Sequence, residues 1–297
     1  MILSGEDVEA SIFGDTRGLL ERFGPDRVRN TPISEQALTG MAVGAAANGY
    51  RIILHMMFAN FVYTGFDAIA NQMAKLRLMT GGQITLPITV IANYGAGRST
   101  AAQHSDTPFS LLMNLGGIEV VAPSTPDNAL GLMKSAIRSN NPTFFLEPGG
   151  RGGDTAEVPD GEHLTPLGEA RVLKEGSDMT LITMGSMTRM TLLTAKKLEA
   201  EGISASVLDL QSLVPLDEAA ILEAVAKTGR AIIVEESRDR CSAASHVSAV
   251  LADQGFHTLK APVRRITVPD TAMPYAPSAE LPLLPNPERI VRAAKAL

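Results

Sequence analysis

The first residue in this sequence that could do chemistry is a carboxylate at the start of a helix built from small residues. Residues 31–61 read TPISEQALTGMAVGAAANGYRIILHMMFANF, which places Glu35 directly after Ser34. A serine there is a good N-cap, because its hydroxyl can accept a bond from a free backbone N–H of the first turn. Residues 36–47 are small or apolar, with Gly40 and Gly44 four apart on one face. Such a face lets a second backbone come very close, as inside a subunit interface. A carboxylate at the mouth of a dry interface is either neutralised by a partner or has a raised pKa and chemical work to do. The ordinary reading must be set beside that one. The helix dipole alone favours Glu in a first turn, and most such residues are solvated.

The elements around Glu35 alternate. Gly49 closes the helix, and residues 51–57 read as a strand. Before it come a short strand over residues 1–14, the turn GED, and an amphipathic helix over 15–24. After it, Phe66, Ile69, Ala70, Met73 and Leu76 fall at helical spacing, and Gly81-Gly82 ends that helix. LPITVIA (86–92) is a buried strand, followed by the loop NYGAGRSTAAQHSDTP. IEVVAP is a strand. A helix follows, opening at Ser124-Thr125-Pro126 and running to Arg138, and TFFLEP is the next strand. GGRGGDTAEVPDGEHLTP is rich in Gly, Pro and charge and reads as a linker. Strand–helix alternation then resumes to the C-terminus. The expected fold is α/β: two doubly wound domains with parallel sheets, residues 1–150 and 167–297, joined by the linker 151–166.

Composition narrows the function classes. The chain has 297 residues and a hydrophobic content of 45%, with mean hydropathy near zero, which suits a soluble two-domain protein. The formal net charge of −6 comes without a dense Lys/Arg stripe, so no nucleic-acid partner is expected. No apolar run reaches the roughly 18 residues of a membrane span, and MILSGEDVEA lacks the basic and apolar regions of a signal peptide. The single cysteine, Cys241, leaves no intrachain disulfide framework. A cytoplasmic protein is the expectation.

Several segments together resemble a known family across nearly the whole chain. TRGLLERFGPDRV, TPISE, the FANF segment, AAQHS, VVAPSTPDNALGLMKSAIR, FFLEP, SLVPLDE and LPNPERI look like the β subunit of a thiamin-diphosphate-dependent 2-oxoacid dehydrogenase. These subunits serve pyruvate, branched-chain oxoacid and acetoin dehydrogenase complexes. The resemblance implies the transketolase fold, a pyrimidine-binding domain followed by a transketolase C-terminal domain. RCSAASHVSAVLADQGFHTLKAP and AGRSTAAQHS look most like the acetoin branch.

The resemblance also implies site roles. The cofactor must lose the C2 proton of its thiazolium ring. Its own amino group removes that proton once an acid holds the pyrimidine N1′. TPISE places Glu35 in that acidic role, with Ile33 beside it among the cofactor-binding residues. Phe61 matches an aromatic residue stacked on the pyrimidine; without the family match it would read as a core Phe at a strand end. AAQHS makes His104 the histidine that binds and protonates the substrate oxygen. By itself a histidine in a polar loop reads as a surface residue, and His55, His163, His246 and His257 have no better claim. Gly95 and Gly97 would let the loop backbone approach the ligand. Glu6, in GED, matches an acidic residue near the cofactor; relatives carry a helix and strand ahead of it, so a partner or an exposed edge is expected there. Some relatives hold a structural potassium ion, largely on backbone carbonyls, at positions matching Ile88, Ala136, Ile137, Ser139 and Asn141. Ser139 stands where the family often has an acid.

One family motif is missing. The diphosphate site is a Gly-Asp-Gly followed by Asn, which holds a divalent metal, and no Gly-Asp-Gly occurs here: Gly14-Asp15-Thr16 and Gly153-Asp154-Thr155 differ at the third residue. An α subunit is therefore expected to hold Mg2+ and the diphosphate and to share the thiamin diphosphate in an α2β2 heterotetramer. A lipoyl acyltransferase would accept the acyl unit derived from the small-molecule substrate. Two alternatives stay open: the C-terminal half of a split transketolase, and a non-catalytic scaffold paralogue. The first should show several Arg and His residues aimed at a sugar phosphate, but Arg98 is the only obvious cation near His104. The second is disfavoured by retention of Glu35, Phe61 and His104 together.

Overall fold

A computed structural model describes residues 1–150 and 152–297; the first linker position, Arg151, lies outside the described residues. The chain forms two compact units. The first comprises Met1–Tyr94, Leu111–Val121 and Thr125–Leu167, and the second Gly95–Ser110, Ala122–Ser124 and Gly168–Leu297. The loop after residue 94, which the sequence reading kept within residues 1–150, thus groups with the second unit.

In the first unit the strands β1 (Ile2–Gly5), β2 (Val28–Asn30), β3 (Ile52–Phe58), β4 (Ile88–Tyr94), β5 (Glu119–Val121) and β6 (Thr143–Pro148) lie in the order β5-β6-β4-β3-β1-β2. Every pair among them is parallel. All residues of β4 and the first five of β3 are buried. This is why both read as unbroken apolar runs rather than alternations: each face of the sheet is covered. The helices are α1 (Leu19–Phe23), α2 (Glu35–Ala47), α3 (Leu76–Met79), α4 (Phe109–Met113, ending in this unit) and α5 (Pro126–Arg138). Leu3, Val8, Val28, Ile53 and Ile91 form one cluster of the core, against which Leu19, Leu20, Met133 and Ile137 pack.

The second unit holds β7 (Arg171–Lys174), β8 (Met179–Thr183), β9 (Ala205–Asp209), β10 (Ser212–Val214), β11 (Ala231–Arg238) and β12 (Arg264–Val268). A five-stranded sheet runs β12-β11-β8-β9-β7. Its helices are α6 (Met187–Ala200), α7 (Glu218–Thr228), α8 (Ala243–Asp253), α9 (Pro277–Glu280) and α10 (Pro287–Lys295). β7 pairs antiparallel with β9, a departure from the all-parallel expectation. Its Arg171 and Val172 are exposed, and the basic ends of RVLK suit an unpaired outer edge.

Three local expectations change. The helix expected over 15–24 begins only at Leu19, because Gly14 and Gly18 take left-handed φ of 89° and 78°. The helix expected through Phe66–Leu76 breaks into a π-helical turn, Ala68–Met73, and then α3. The Ala74 N–H reaches back five residues to the Ile69 carbonyl at 2.9 Å, and a Cβ on Gly117 would overlap the Ala74 carbonyl. Tertiary packing sets that irregularity, which periodicity could not reveal. Ser34 does occupy the N-cap of α2, but its hydroxyl makes no capping bond. Its backbone (φ −168°, ψ 80°) carries the side chain away from the first-turn N–H groups.

α2 buries Leu38, Thr39, Ala42, Val43 and Ala46. The opposite face, with Gln36, Gly40, Met41 and Gly44, is exposed, and a Cβ at Gly40 or Gly44 would meet nothing within 4 Å. Mid-helix glycine costs roughly 0.5–1 kcal/mol relative to alanine, and among the described residues nothing packs against these two glycines to offset it. Gly40→Ala and Gly44→Ala should therefore each raise the thermal midpoint of the isolated chain, together by about 1–2 kcal/mol in stability. A lowered midpoint in a melting experiment would mean that the chain itself fills this face.

Candidate active site

In an open parallel sheet, ligands bind outside the carboxyl ends of the strands. The first unit's polar residues collect there. Glu6 follows β1, Phe58 ends β3, the 3-10 turn Ala59–Tyr63 carries Phe61, Asn93 and Tyr94 end β4, and Glu147 lies at the end of β6. Gly5 pairs in register with His55. A Cβ there would overlap the His55 carbonyl, so the glycine lets β1 lie against β3 at this point.

The structure brings Glu6 and Glu35 together. Both are half-buried, and the Glu6 pKa is raised, first by burial and then by the charges of Glu35 and Asp7. Ile33 is exposed. Phe61 joins an aromatic row: it stands edge-on to Phe58 at 5.7 Å, Phe58 edge-on to Phe13 at 5.3 Å, and Phe13 stacks on His55 at 5.9 Å.

His55, with no claim on sequence grounds, is buried at the centre of this edge. Its Nε2 lies 2.7 Å from Asp15 Oδ2, and the Met57 N–H reaches its Nδ1 at 3.3 Å. Met57 has a left-handed φ of 53°, and the β3–β4 register shifts between His55 and Phe58. This bulge re-aims the end of β3. Burial works against the charge on Asp15, but the hydrogen bond and charge of His55 outweigh it and lower the pKa. Glu147 is pushed up to about 7 by burial and then by the Asp15 charge, against a smaller opposing pull from His55. One signal for this cluster was present in the sequence: a histidine inside the apolar run IILHMMF is buried, and a buried ring needs a polar partner.

His104 lies in the second unit, in the loop 95–110, and is half-buried. Two buried carboxylates hold this loop. Glu236 of β11 accepts the Ala96 N–H at 2.9 Å and the Ser186 hydroxyl at 2.6 Å. Glu280 accepts the N–H groups of Gly97 and Ser99 at 2.8 and 2.9 Å. Gly95 takes φ 95°, and a Cβ on it would overlap the Glu236 carboxylate. The close approach this glycine allows is thus that of Glu236. Burial raises the Glu236 pKa, while its hydrogen bonds and the Arg98 charge oppose that. Arg98 donates to the Gly95 carbonyl at 3.3 Å and feels both carboxylates. Neither Glu236 nor Glu280 stood out in the sequence, because each lies far along the chain from the loop it holds.

Of the five residues suggested for potassium, Ala136, Ile137, Ser139 and Asn141 each have an oxygen that already accepts a hydrogen bond. Ala136 O accepts the Ser139 N–H, Ile137 O and Ser139 O accept from Arg51, and Asn141 Oδ1 accepts from Arg77. Ile88 lies in β4, paired with Ile52. Among the described residues no group of three or more His, Cys, Asp or Glu could hold a metal ion, and no helix is long and apolar enough to cross a membrane.

The Glu147 carboxyl is raised from 4.5 to about 7, so the folded chain holds a proton there that the unfolded chain has lost. Its contribution is fully present below about pH 4.5 and is lost as pH rises through 7, on the order of 3 kcal/mol. Glu235 and Asp209, raised by burial to about 7 and about 6, add slope of the same sign. Glu147→Gln should leave stability at pH 5 nearly unchanged and raise it at pH 8. Thermal midpoints at the two pH values check this, and a variant as pH-sensitive as wild type would contradict it.

Comparison with known proteins agrees with the two-domain α/β fold. Residues 1–152 match the family model described as transketolase, pyrimidine binding domain, and residues 168–290 the transketolase C-terminal domain. The chain is 43% identical over 289 residues, 97% of this chain and 84% of the relative, to the acetoin:2,6-dichlorophenolindophenol oxidoreductase subunit beta of Bacillus subtilis (strain 168). It is 40% identical over 298 residues, covering 99% of this chain and 91% of the relative, to the pyruvate dehydrogenase E1 component subunit beta of the same organism. A solved structure described as a split gene transketolase, inactive beta4 tetramer, superposes with TM-score 0.83 at 27% identity over 99% of this chain and 91% of that one. The chain belongs to the transketolase-like family of 2-oxoacid and acetoin dehydrogenase β subunits, which are oxidoreductase components.

Proposed function

We propose that this chain is the β subunit of a thiamin-diphosphate-dependent enzyme that cleaves a 2-oxoacid such as pyruvate, or acetoin, and passes the acyl unit to a lipoyl group. The observation that carries the reading is the Glu6–Glu35 carboxylate pair at the sheet's carboxyl edge, set at the end of a helix whose Gly40/Gly44 face is open. When bound, thiamin diphosphate supplies the carbon nucleophile that attacks the substrate carbonyl. The chain's own residues do the rest. Glu35 would hold a proton at the pyrimidine nitrogen, with the Glu6 carboxyl beside it. Phe61 offers a ring for the pyrimidine to pack on, with Ile33 beside Glu35 on the same approach. His104 places and protonates the substrate oxygen, on a loop whose backbone Glu236 and Glu280 hold. Two charge-accepting anchors keep such a group within the small positional error that catalysis tolerates.

The diphosphate and its Mg2+ go to an α subunit, in line with the missing Gly-Asp-Gly. The open α2 face suits a twofold-symmetric α2β2 assembly, and a lipoyl acyltransferase is the acceptor. The cytoplasm is the expected compartment. A split-transketolase role is less well supported, because Arg98, the cation near His104, is drawn to Glu236 and Glu280 rather than left for a sugar phosphate.

Calorimetry of the chain alone and mixed with its α partner is the test. Alone it should bind thiamin diphosphate and Mg2+ negligibly; with the partner, affinity and turnover of pyruvate or acetoin should appear together. Metal-dependent cofactor binding by the chain alone would sink the assignment. In the assembled enzyme Glu35→Gln should slow exchange of the cofactor's C2 proton by roughly 10²–10⁴. Exchange at the wild-type rate in quenched NMR would remove Glu35 from proton transfer.

A further inference from the structure

Helix α5 ends at Arg138, and its last carbonyls have no donors from within the helix. The Ser139 N–H turns back to the Ser135 and Ala136 carbonyls at 2.9 and 3.2 Å. The next carbonyls are met by a residue from far away in sequence. Arg51, half-buried just before β3, donates from Nη1 to the Ile137 carbonyl and, at 2.6 Å, to the Ser139 carbonyl. Its Nη2 donates to Asn140 Oδ1 at 3.0 Å. One planar guanidinium therefore bridges three acceptors around a helix C-terminus, where a positive charge is favoured by the helix dipole.

These are also oxygens that the family resemblance would give to a potassium ion. The residues present do not fit that ion. An ion coordinated by the Ile137 and Ser139 carbonyls would sit against the guanidinium nitrogen already bonded to both, with like charges in contact. The Asn141 side-chain oxygen is already shared, since Oδ1 accepts from the Arg77 guanidinium. Its Nδ2 is turned to Glu119 at 3.0 Å. Ser139 brings no negative charge to offset a further cation, and its hydroxyl accepts the Asn141 N–H at 3.1 Å.

We propose that Arg51 is the built-in cation of this corner, doing with a covalently attached guanidinium what a potassium ion does in some relatives. The stability of the chain is accordingly independent of which monovalent cation is present.

The test uses the full-length chain, melted in KCl and in choline chloride at equal ionic strength. Wild type should show the same midpoint in both salts. Arg51→Ala should melt several degrees lower than wild type in choline chloride. If that variant yields no folded protein, Arg51→Lys, which keeps the charge but cannot bridge three acceptors, is measured by the same criterion and should also melt lower. A wild-type midpoint that rises with potassium over choline would overturn the proposal, because a metal site would then coexist with or displace the guanidinium. An Arg51→Ala or Arg51→Lys variant melting like wild type in choline chloride would overturn it too, since the guanidinium would then hold nothing.

Discussion

A parallel sheet covered on both faces leaves its polar side chains one outlet, the carboxyl ends of the strands. β3 and β4 are buried along nearly their whole length, so a charged group inside either would be left without water. Glu6, His55, Asn93 and Glu147 all sit where a strand of the first unit stops or bends. The bulge at Met57 shows the same constraint at the level of one residue. It interrupts the β3–β4 register just where β3 must turn from core strand to a platform carrying Phe58 and Phe61. The second unit applies the rule differently. Its buried acids Glu235, Glu236 and Glu280 spend their oxygens on backbone N–H groups and hydroxyls, fixing loops and helix starts rather than facing a ligand.

Most of the strand–helix alternation was legible because apolar runs flanked by Gly and Pro are strong local signals. β4 and β6 follow LPITVIA and TFFLEP to within two residues. The parts that were not legible depend on contacts between distant segments. The break at Ala68–Met73 answers to Gly117, and nothing in the local periodicity marks it. β7 is short and half-exposed, so no burial pattern announces it. For the site, Glu35, Phe61 and His104 stood out through family motifs, whereas the His55–Asp15 pair spans 40 positions. Its two halves look unremarkable until the fold joins them, and the Glu236 and Glu280 anchors lie still further from their loop.

Arg51 and Glu236 illustrate two ways of tying distant segments together. Each places a charge where groups from distant segments converge, a guanidinium on two carbonyls and an amide oxygen and a carboxylate on a backbone N–H and a hydroxyl. Charge-assisted bonds of this kind are stronger than neutral ones, and both are partly or fully shielded from water. Burial pushes the Glu236 carboxyl upward, so that tie loosens when the group gains a proton.

The raised carboxyls of the first unit have a thermodynamic consequence for any cationic ligand. Glu147, at about 7, retains part of its proton near neutrality, and Glu6 is shifted upward. A positive charge arriving at the sheet's edge favours their ionised forms and drives the Glu147 proton into solution. Binding there is therefore an exchange of a cation for protons. The heat measured for it contains the ionisation enthalpy of whatever buffer takes the protons up, and the apparent affinity strengthens as the solution becomes more alkaline through neutrality.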